Sequence, residues 1–251
     1  MMYYSASMNT LDESLTTAVR EGKLLDSSLT NIRLLLAGTK APVAREAVEE
    51  LASVGEWQEL NDRFYKTLAF GTGGLRGRTI GNIVTRAEEG SGGVNSRPEY
   101  PCVGTACMNY FNVGRAMRGL IIYVKKHVEA TEPGRKPRLV IGHDTRHFSR
   151  DFAEFCARIG TDLGCDVYLF DSPRATPEIS FAIRELNADS GVVLTASHNP
   201  SHDNGFKAYF SDGAQLVPPH DKAVIAEVNS LTSEEYEPLP ESRRGTLHVL
   251  D

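Results

Sequence analysis

The sequence is poor in cysteine, in tryptophan and in long apolar runs, and it carries no surplus of positive charge. Four cysteines in 251 residues are too few for the disulfide framework of a small secreted domain. Cys102 and Cys107 are too widely spaced for a zinc knuckle and no second pair follows, so the reading is reduced thiols in a cytoplasmic protein. The opening Met-Met-Tyr-Tyr-Ser-Ala-Ser-Met has no basic region followed by an apolar stretch and is not read as a signal peptide. Clean apolar runs such as Leu120-Ile121-Ile122-Tyr123-Val124 fall far short of the ~18 residues that cross a bilayer. With 27 Lys and Arg against 33 Asp and Glu, the net charge is −6. That balance weighs against nucleic acid and anionic membrane as partners. No internal repeat is present. The remainder, 41% hydrophobic and 24% charged, is an ordinary globular composition, and a chain of this length buries a sizeable core unaided.

Hydrophobic periodicity divides the chain. Residues 1–60 read as a helical extension, with apolar positions at spacings near three and four (Val43, Ala47, Val48, Leu51) and Pro42 suited to a first helical turn. Composition changes at Phe70, where Gly71-Thr72-Gly73-Gly74 is too glycine-rich for a helix and reads as an ordered turn. Arg86–Gly104 reads as a mobile polar loop, and an amphipathic helix fits 105–129. From residue 138 the pattern alternates. Leu139-Val140-Ile141-Gly142, Val167-Tyr168-Leu169-Phe170 and Gly191-Val192-Val193-Leu194-Thr195 are short buried strands separated by helical stripes ending near Gly164 and Leu186. Such an order predicts an α/β domain over 61–233, three layers deep (α/β/α) around a mainly parallel mixed sheet. Asp212-Gly213 marks a hairpin between 206–210 and 215–217, and a last helix fits 220–231. Residues 234–251 read as a linker.

Open α/β sheets bind ligands beyond the carboxyl ends of their strands. Among the loops there, Thr195-Ala196-Ser197-His198-Asn199-Pro200-Ser201-His202 is the densest in hydroxyl, imidazole and amide groups. A serine hydrolase is one reading, disfavoured because an extended chain turns His198 away from Ser197 and because Gly-x-Ser-x-Gly is absent. The His143/His147 and His198/His202 pairs have a chelating spacing, but only on a helix, which Pro200 prevents for the second pair. A third reading makes Ser197 a phosphoryl carrier. A phosphoserine bears about −1.5 to −2 charges and needs cations and backbone donors; Arg76, Lys207 and Arg146 are candidates, with Gly71, Gly73 and Gly74 allowing close approach of amides.

Several of these segments resemble one family, the α-D-phosphohexomutases, which include phosphoglucomutase and phosphomannomutase. Thr195-Ala196-Ser197-His198-Asn199-Pro200 is similar to its active-site serine motif, and Asn204-Gly205-Phe206-Lys207 to the Asn-Gly-x-Lys that comes after it. Gly142-His143-Asp144-Thr145-Arg146 resembles its Gly-x-Asp-x-Arg. Phe70–Gly77, with Asp62-Arg63-Phe64-Tyr65 upstream, is similar to the N-terminal motif of the phosphoglucomutase/phosphopentomutase-type branch. The resemblance spans about 62 to 231, the first domain of the family.

It implies an intramolecular phosphotransferase, an isomerase converting hexose 1-phosphate and hexose 6-phosphate through a phosphoserine at Ser197 and a sugar bisphosphate. Lys207 and His198 are implied as acid–base and phosphate contacts and Arg76 as a stabiliser of the phosphoryl group. Thr72, Gly73, Gly74, Asn199, Asp144 and Arg146 are implied on phosphate or substrate. Mg²⁺ is implied as cofactor, with the Ser197 phosphate as one ligand. The family's Asp-Gly-Asp-x-Asp-Arg metal loop is not in this sequence; Ser211-Asp212-Gly213-Ala214 is the nearest fragment. The expectation is therefore an N-terminal part of a phosphosugar mutase, inactive by itself, whose partners are a phosphosugar and the remaining mutase domains. The alternative is a non-catalytic phosphate-binding module that needs a partner chain.

Overall fold

The computed structural model of the protein describes residues 2–71, 74–92 and 97–251, with side chains from residue 10. Four helices open the chain: α1 (Met2–Arg20), α2 (Asp26–Gly38), α3 (Pro42–Ser53) and α4 (Trp57–Phe64). Their apolar stripes meet in one cluster that includes Leu15, Ile32, Leu35, Val48, Leu51, Leu60 and Phe64. Val103 and Phe111 belong to the same cluster, so the extension packs directly on the α/β domain. The expected boundary at residue 60 falls inside α4.

Then come β1 (Leu75–Arg78), α5 (Arg86–Glu89), α6 (Tyr110–Thr131), β2 (Arg138–His143), α7 (Ser149–Asp162) and β3 (Asp166–Phe170). The chain continues through α8 (Thr176–Glu185), β4 (Ser190–Leu194), β5 (Asp203–Phe210), α9 (His220–Ser230) and β6 (Leu247–Leu250). The strands form one mixed sheet in the order β1-β5-β4-β2-β3-β6. β4, β2, β3 and β6 run parallel, while β5 is antiparallel to both β4 and β1. Successive side chains of a strand point to opposite faces. Leu139 and Ile141 accordingly enter the cluster under α6, α7 and α9 with Phe152, Ile159, Val224 and Val228, and Val140 joins Ile179 and Ile183 of α8 on the other face. Burying one such aliphatic side chain stabilises the fold by roughly 1.5–3 kcal/mol. This is the three-layer α/β/α domain with its helical extension.

Three local expectations change. The stretch expected as a mobile loop holds α5, with Thr85 and Glu88 in a reciprocal capping box; Gly93, Val94, Asn95 and Ser96 lie outside the described residues. The helix expected at 105–129 starts five residues later, because Asn109 caps it by accepting from the Asn112 amide at 3.1 Å while donating to the Cys102 and Gly104 carbonyls. The stretch expected as a linker, 234–251, returns as β6 alongside β3, with Leu247 opposite Val167 and Leu250 opposite Phe170. Its four residues gave too short an apolar signal to register as a strand. The Asp212-Gly213 hairpin closes with one isolated pairing, Tyr209 to Gln215.

Candidate active site

Ser197 sits in the loop between β4 and β5, beyond the carboxyl end of β4. Its backbone is left-handed, φ 58°, a conformation that costs a non-glycine residue roughly 1–2 kcal/mol. Two contacts hold it there. The Ser197 amide donates to Thr195 Oγ1 at 3.0 Å, and its carbonyl accepts from Arg146 Nη2 at 2.8 Å. Strained backbone kept in place by surrounding bonds is a common mark of functional loops. The side chain is exposed, and its Oγ accepts from Lys207 Nζ at 2.7 Å.

The Arg146 guanidinium is occupied by the loop's own backbone. Nη1 donates to the carbonyls of Asn199, Pro200 and Asp203 at 3.1, 2.7 and 2.7 Å, and Nε to Asp144 Oδ2 at 2.8 Å. Only the rigid, five-donor fork of arginine can serve that many acceptors at once. In this structure Arg146, expected on phosphate or substrate, acts as a clamp on the serine loop. Asp144 is the clamp's counter-charge and also accepts from Ser149 Oγ at 2.7 Å and from the Arg146 amide at 3.1 Å. Burial alone raises its pKa, but hydrogen bonds from Thr195, Ser149 and Arg146 outweigh it and hold the carboxyl below its usual 3.8. Ser197, Thr195, Asp144 and Arg146 therefore form one closed circuit.

Breaking the clamp should loosen the loop. Arg146→Met leaves the four carbonyls without the guanidinium and takes one of several donors from Asp144, and Arg146→Lys supplies one ammonium where a fork is needed. Both variants are expected to expose residues 197–203 to limited proteolysis several-fold faster than wild type while leaving far-UV circular dichroism unchanged. Protection restored by lysine would mean that charge alone holds the loop.

Lys207 lies on β5, whose register with β1 sets Arg76 opposite Gly205, so Arg76 and Lys207 emerge on one face. Arg76 is exposed and its Nη1 donates to Asn199 Oδ1 at 3.3 Å; Asn199 in turn donates to Asp203 Oδ2 at 3.0 Å. Burial lowers the Lys207 pKa below the usual 10.5, the charge of Arg76 lowers it further, and Asp144 offsets part of this. Gly74 closes a turn by exchanging two backbone hydrogen bonds with Gly71. At φ +97°, a Cβ there would stand 1.7 Å from the Phe206 carbonyl oxygen, so its glycine is required to dock the turn on β5. Thr72 and Gly73 lie outside the described residues.

His198 is exposed. Only an extended chain would turn it away from Ser197, and the left-handed backbone at Ser197 removes that premise. Even so, the Ser197 hydroxyl is met by Lys207 rather than by a histidine, and His143 is buried with Nδ1 3.0 Å from the Asp144 carbonyl oxygen. Neither His-x-x-x-His pair makes a metal cluster among the described residues. Three contributors escaped the sequence reading as site residues: Thr195, Ser149 and Asn204, the last donating to the His147 carbonyl and to Ser149 Oγ at 3.0 Å each. Asn204 was visible as the first residue of Asn-Gly-x-Lys; Ser149 had no signal beyond following a strand.

A three-layer α/β/α domain with a lysine-paired serine in the loop after a central strand is the class that this geometry defines. Comparison with known proteins then places it: the profile of the phosphoglucomutase/phosphomannomutase alpha/beta/alpha domain I matches residues 102–235, more than half of the chain, and the chain belongs to that family. A phosphoglucomutase of Staphylococcus epidermidis is 38% identical over 159 residues, 63% of this chain and 24% of that protein. A phosphoribomutase of Saccharomyces cerevisiae is 32% identical over 202 residues, 79% of this chain and 28% of that protein. Among solved structures, a Thermus thermophilus protein assigned as a phosphomannomutase superposes with a TM-score of 0.52 at 26% identity, covering 74% of this chain and 33% of that one. The chain thus spans about a quarter of the length of the curated relatives it matches. Among the described residues no helix is long and apolar enough to cross a membrane.

Proposed function

We propose that this chain is the phosphoryl-carrying domain of a phosphosugar mutase, with Ser197 as the carrier and a hexose monophosphate, glucose phosphate foremost, as substrate. The observation that carries the reading is the 2.7 Å contact between Lys207 Nζ and Ser197 Oγ in a loop whose strained backbone is clamped from below. In loading, Ser197 Oγ attacks the phosphorus of a sugar bisphosphate, the sugar O–P bond breaks as the serine O–P bond forms, Lys207, as the free amine, takes the serine proton, and the departing sugar oxygen takes a proton from solvent to become a hydroxyl. In the return step a sugar hydroxyl attacks the phosphorus, the sugar O–P bond forms as the phosphoserine O–P bond breaks, the sugar hydroxyl loses its proton to solvent, and the Lys207 ammonium returns a proton to Oγ. Phosphoryl transfer depends on positioning and charge neutralisation, and Arg76, joined by Lys207 once it has taken the serine proton, brings positive charge to the side where the phosphoryl group develops charge. His198, exposed and next to Ser197 in the chain, is a further phosphate contact in this reading.

Among the described residues, those near Ser197 do not build a Mg²⁺ cage. Magnesium takes about six oxygens in a near-octahedral shell, usually with one or two carboxylates. Asp144 is spent on Arg146 and Ser149, and one oxygen of Asp203 on Asn199. Turnover by this chain alone is therefore not expected.

The test is loading. Incubation with glucose 1,6-bisphosphate followed by phosphopeptide mass spectrometry is expected to find the phosphate on Ser197; a phosphate elsewhere, or none, overturns the carrier role. The pH profile tests Lys207. Because its folded pKa lies below 10.5, the free amine accumulates earlier than in an ordinary lysine. The loading rate should rise with pH with its midpoint below 10.5, and Arg76→Gln should move that midpoint to higher pH by removing a like charge. A pH-independent rate would dismiss the amine as base.

A further inference from the structure

No residue of the stretch 86–104 has a role in the phosphoryl transfer written above. The stretch is nonetheless anchored. The Tyr100 and Glu99 amides donate to the Glu88 and Glu89 carbonyls at 3.0 and 3.2 Å, and Glu99 Oε2 accepts from the amide and hydroxyl of Ser91 at 2.7 and 2.8 Å. That anchorage delivers Arg97 to the start of α7. Its Nη1 and Nη2 donate to Asp151 Oδ2 and Oδ1 at 2.7 and 2.8 Å, and its guanidinium lies over the Phe148 ring, 4.3 Å from the centroid. A two-pronged bond to a carboxylate combined with a cation on an aromatic face fixes orientation as well as distance.

Phe148 is where that hold matters. It is buried, it precedes the first turn of α7, and its backbone is left-handed at φ 64°, a region in which a bulky residue is an outlier. Strain of this kind persists only where the surroundings enforce it. The turn decides where its neighbours point. Ser149 Oγ donates to Asp144 Oδ1 at 2.7 Å and accepts from Asn204 Nδ2 at 3.0 Å, while the His147 amide donates to the Ser201 carbonyl at 3.3 Å. Asp144 in turn holds Arg146, and Arg146 holds the Ser197 carbonyl. We infer that Arg97 is a positioning residue for phosphoryl loading: by gripping Asp151 and covering Phe148 it keeps the left-handed turn that sets Ser149 against Asp144, and through Asp144 and Arg146 it fixes the direction of the Ser197 hydroxyl. The inference rests on the mutase reading above, in which Ser197 is the carrier. Arg97 acts at one remove, since its own partners are Asp151 and Phe148.

Arg97→Met, at an exposed residue, tests this. Quench-flow loading from glucose 1,6-bisphosphate should show a limiting rate about tenfold below wild type, because small misplacements of reacting groups are costly. The half-saturating concentration and the final fraction of Ser197 phosphorylated should both stay within about twofold. A merely structural loss would lower that final fraction instead. Asp151→Ala should reproduce the slower rate, and the double variant should add nothing to it. Hydrogen exchange should quicken several-fold in residues 147–149 and 197–203 and keep its wild-type rate in α3. A limiting rate within twofold of wild type, a raised half-saturating concentration, a lowered final fraction, additive losses in the double variant or unchanged exchange at 197–203 overturns the assignment. Absence of phosphate on Ser197 in the wild type is the separate failure of the mutase reading, and exchange at 197–203 then still decides whether Arg97 holds the loop.

Discussion

Lys207→Met is expected to slow the loading of Ser197 from glucose 1,6-bisphosphate by two orders of magnitude or more. The substitution keeps the length of the side chain and its packing along β5 and removes only the amine 2.7 Å from Oγ. A positioned acid–base group contributes about 10²–10⁴-fold, and here the same amine, once it has taken the serine proton, also brings positive charge to the phosphoryl group. Removing it takes away proton acceptance and charge neutralisation together. Arg76→Met is expected to slow loading less, because its guanidinium bonds Asn199 rather than the Ser197 hydroxyl. Quench-flow measurement of phosphoserine formation separates the two. Equal losses in both variants would mean that charge alone matters and that Lys207 moves no proton.

The second large effect lies away from the chemistry. Arg63→Met is expected to destabilise the fold by about 3–5 kcal/mol, the cost of removing one partner from a buried ion network. Arg63 is wholly buried, and its partners Glu59 and Glu88, at 2.8 and 2.6 Å, are buried with it. It also donates to the carbonyls of Ile83 and Val103, while Glu88 accepts from the Val103 amide at 2.7 Å and caps α5. The network ties α4 to α5 and to the segment leading into α6. Without the guanidinium, two carboxylates face each other in the interior. For a chain of this size each kcal/mol lowers Tm by roughly 2–4 °C, so calorimetry should show a drop of about 10 °C. The triple replacement of Arg63, Glu59 and Glu88 by apolar residues should recover much of it, since a buried network is often no more stable than a packed apolar one. A loss below about 1 kcal/mol in the single variant would show that water reaches the pair.

Much of the fold was legible because period-2 and period-3.6 apolar patterns report which face of an element is buried. Leu139-Val140-Ile141, Val167–Phe170 and Gly191–Leu194 announced parallel strands, and Val43, Ala47, Val48 and Leu51 announced α3. Elements whose cause is not local were misread. The start of α6 depends on Asn109 reaching the Cys102 and Gly104 carbonyls, and β6 exists because β3 offers it an edge.

The site divides in the same way. Sequence by itself determined the membership of the serine loop, through the run from Thr195 to Pro200, the lysine ten residues after Ser197, and the glycines before Arg76. These are chemical identities at fixed spacings along one chain. Only the tertiary structure decided what each side chain does. Arg146 and Ser197 are 51 residues apart, and no spacing rule says that the guanidinium meets backbone carbonyls rather than a phosphate. The left-handed turn at Ser197 and the approach of Lys207 to its hydroxyl arise where separate strands and loops converge. A side chain's partner is set by what folding brings within about 3 Å, and that distance is a property of the packed molecule, not of the order of its residues.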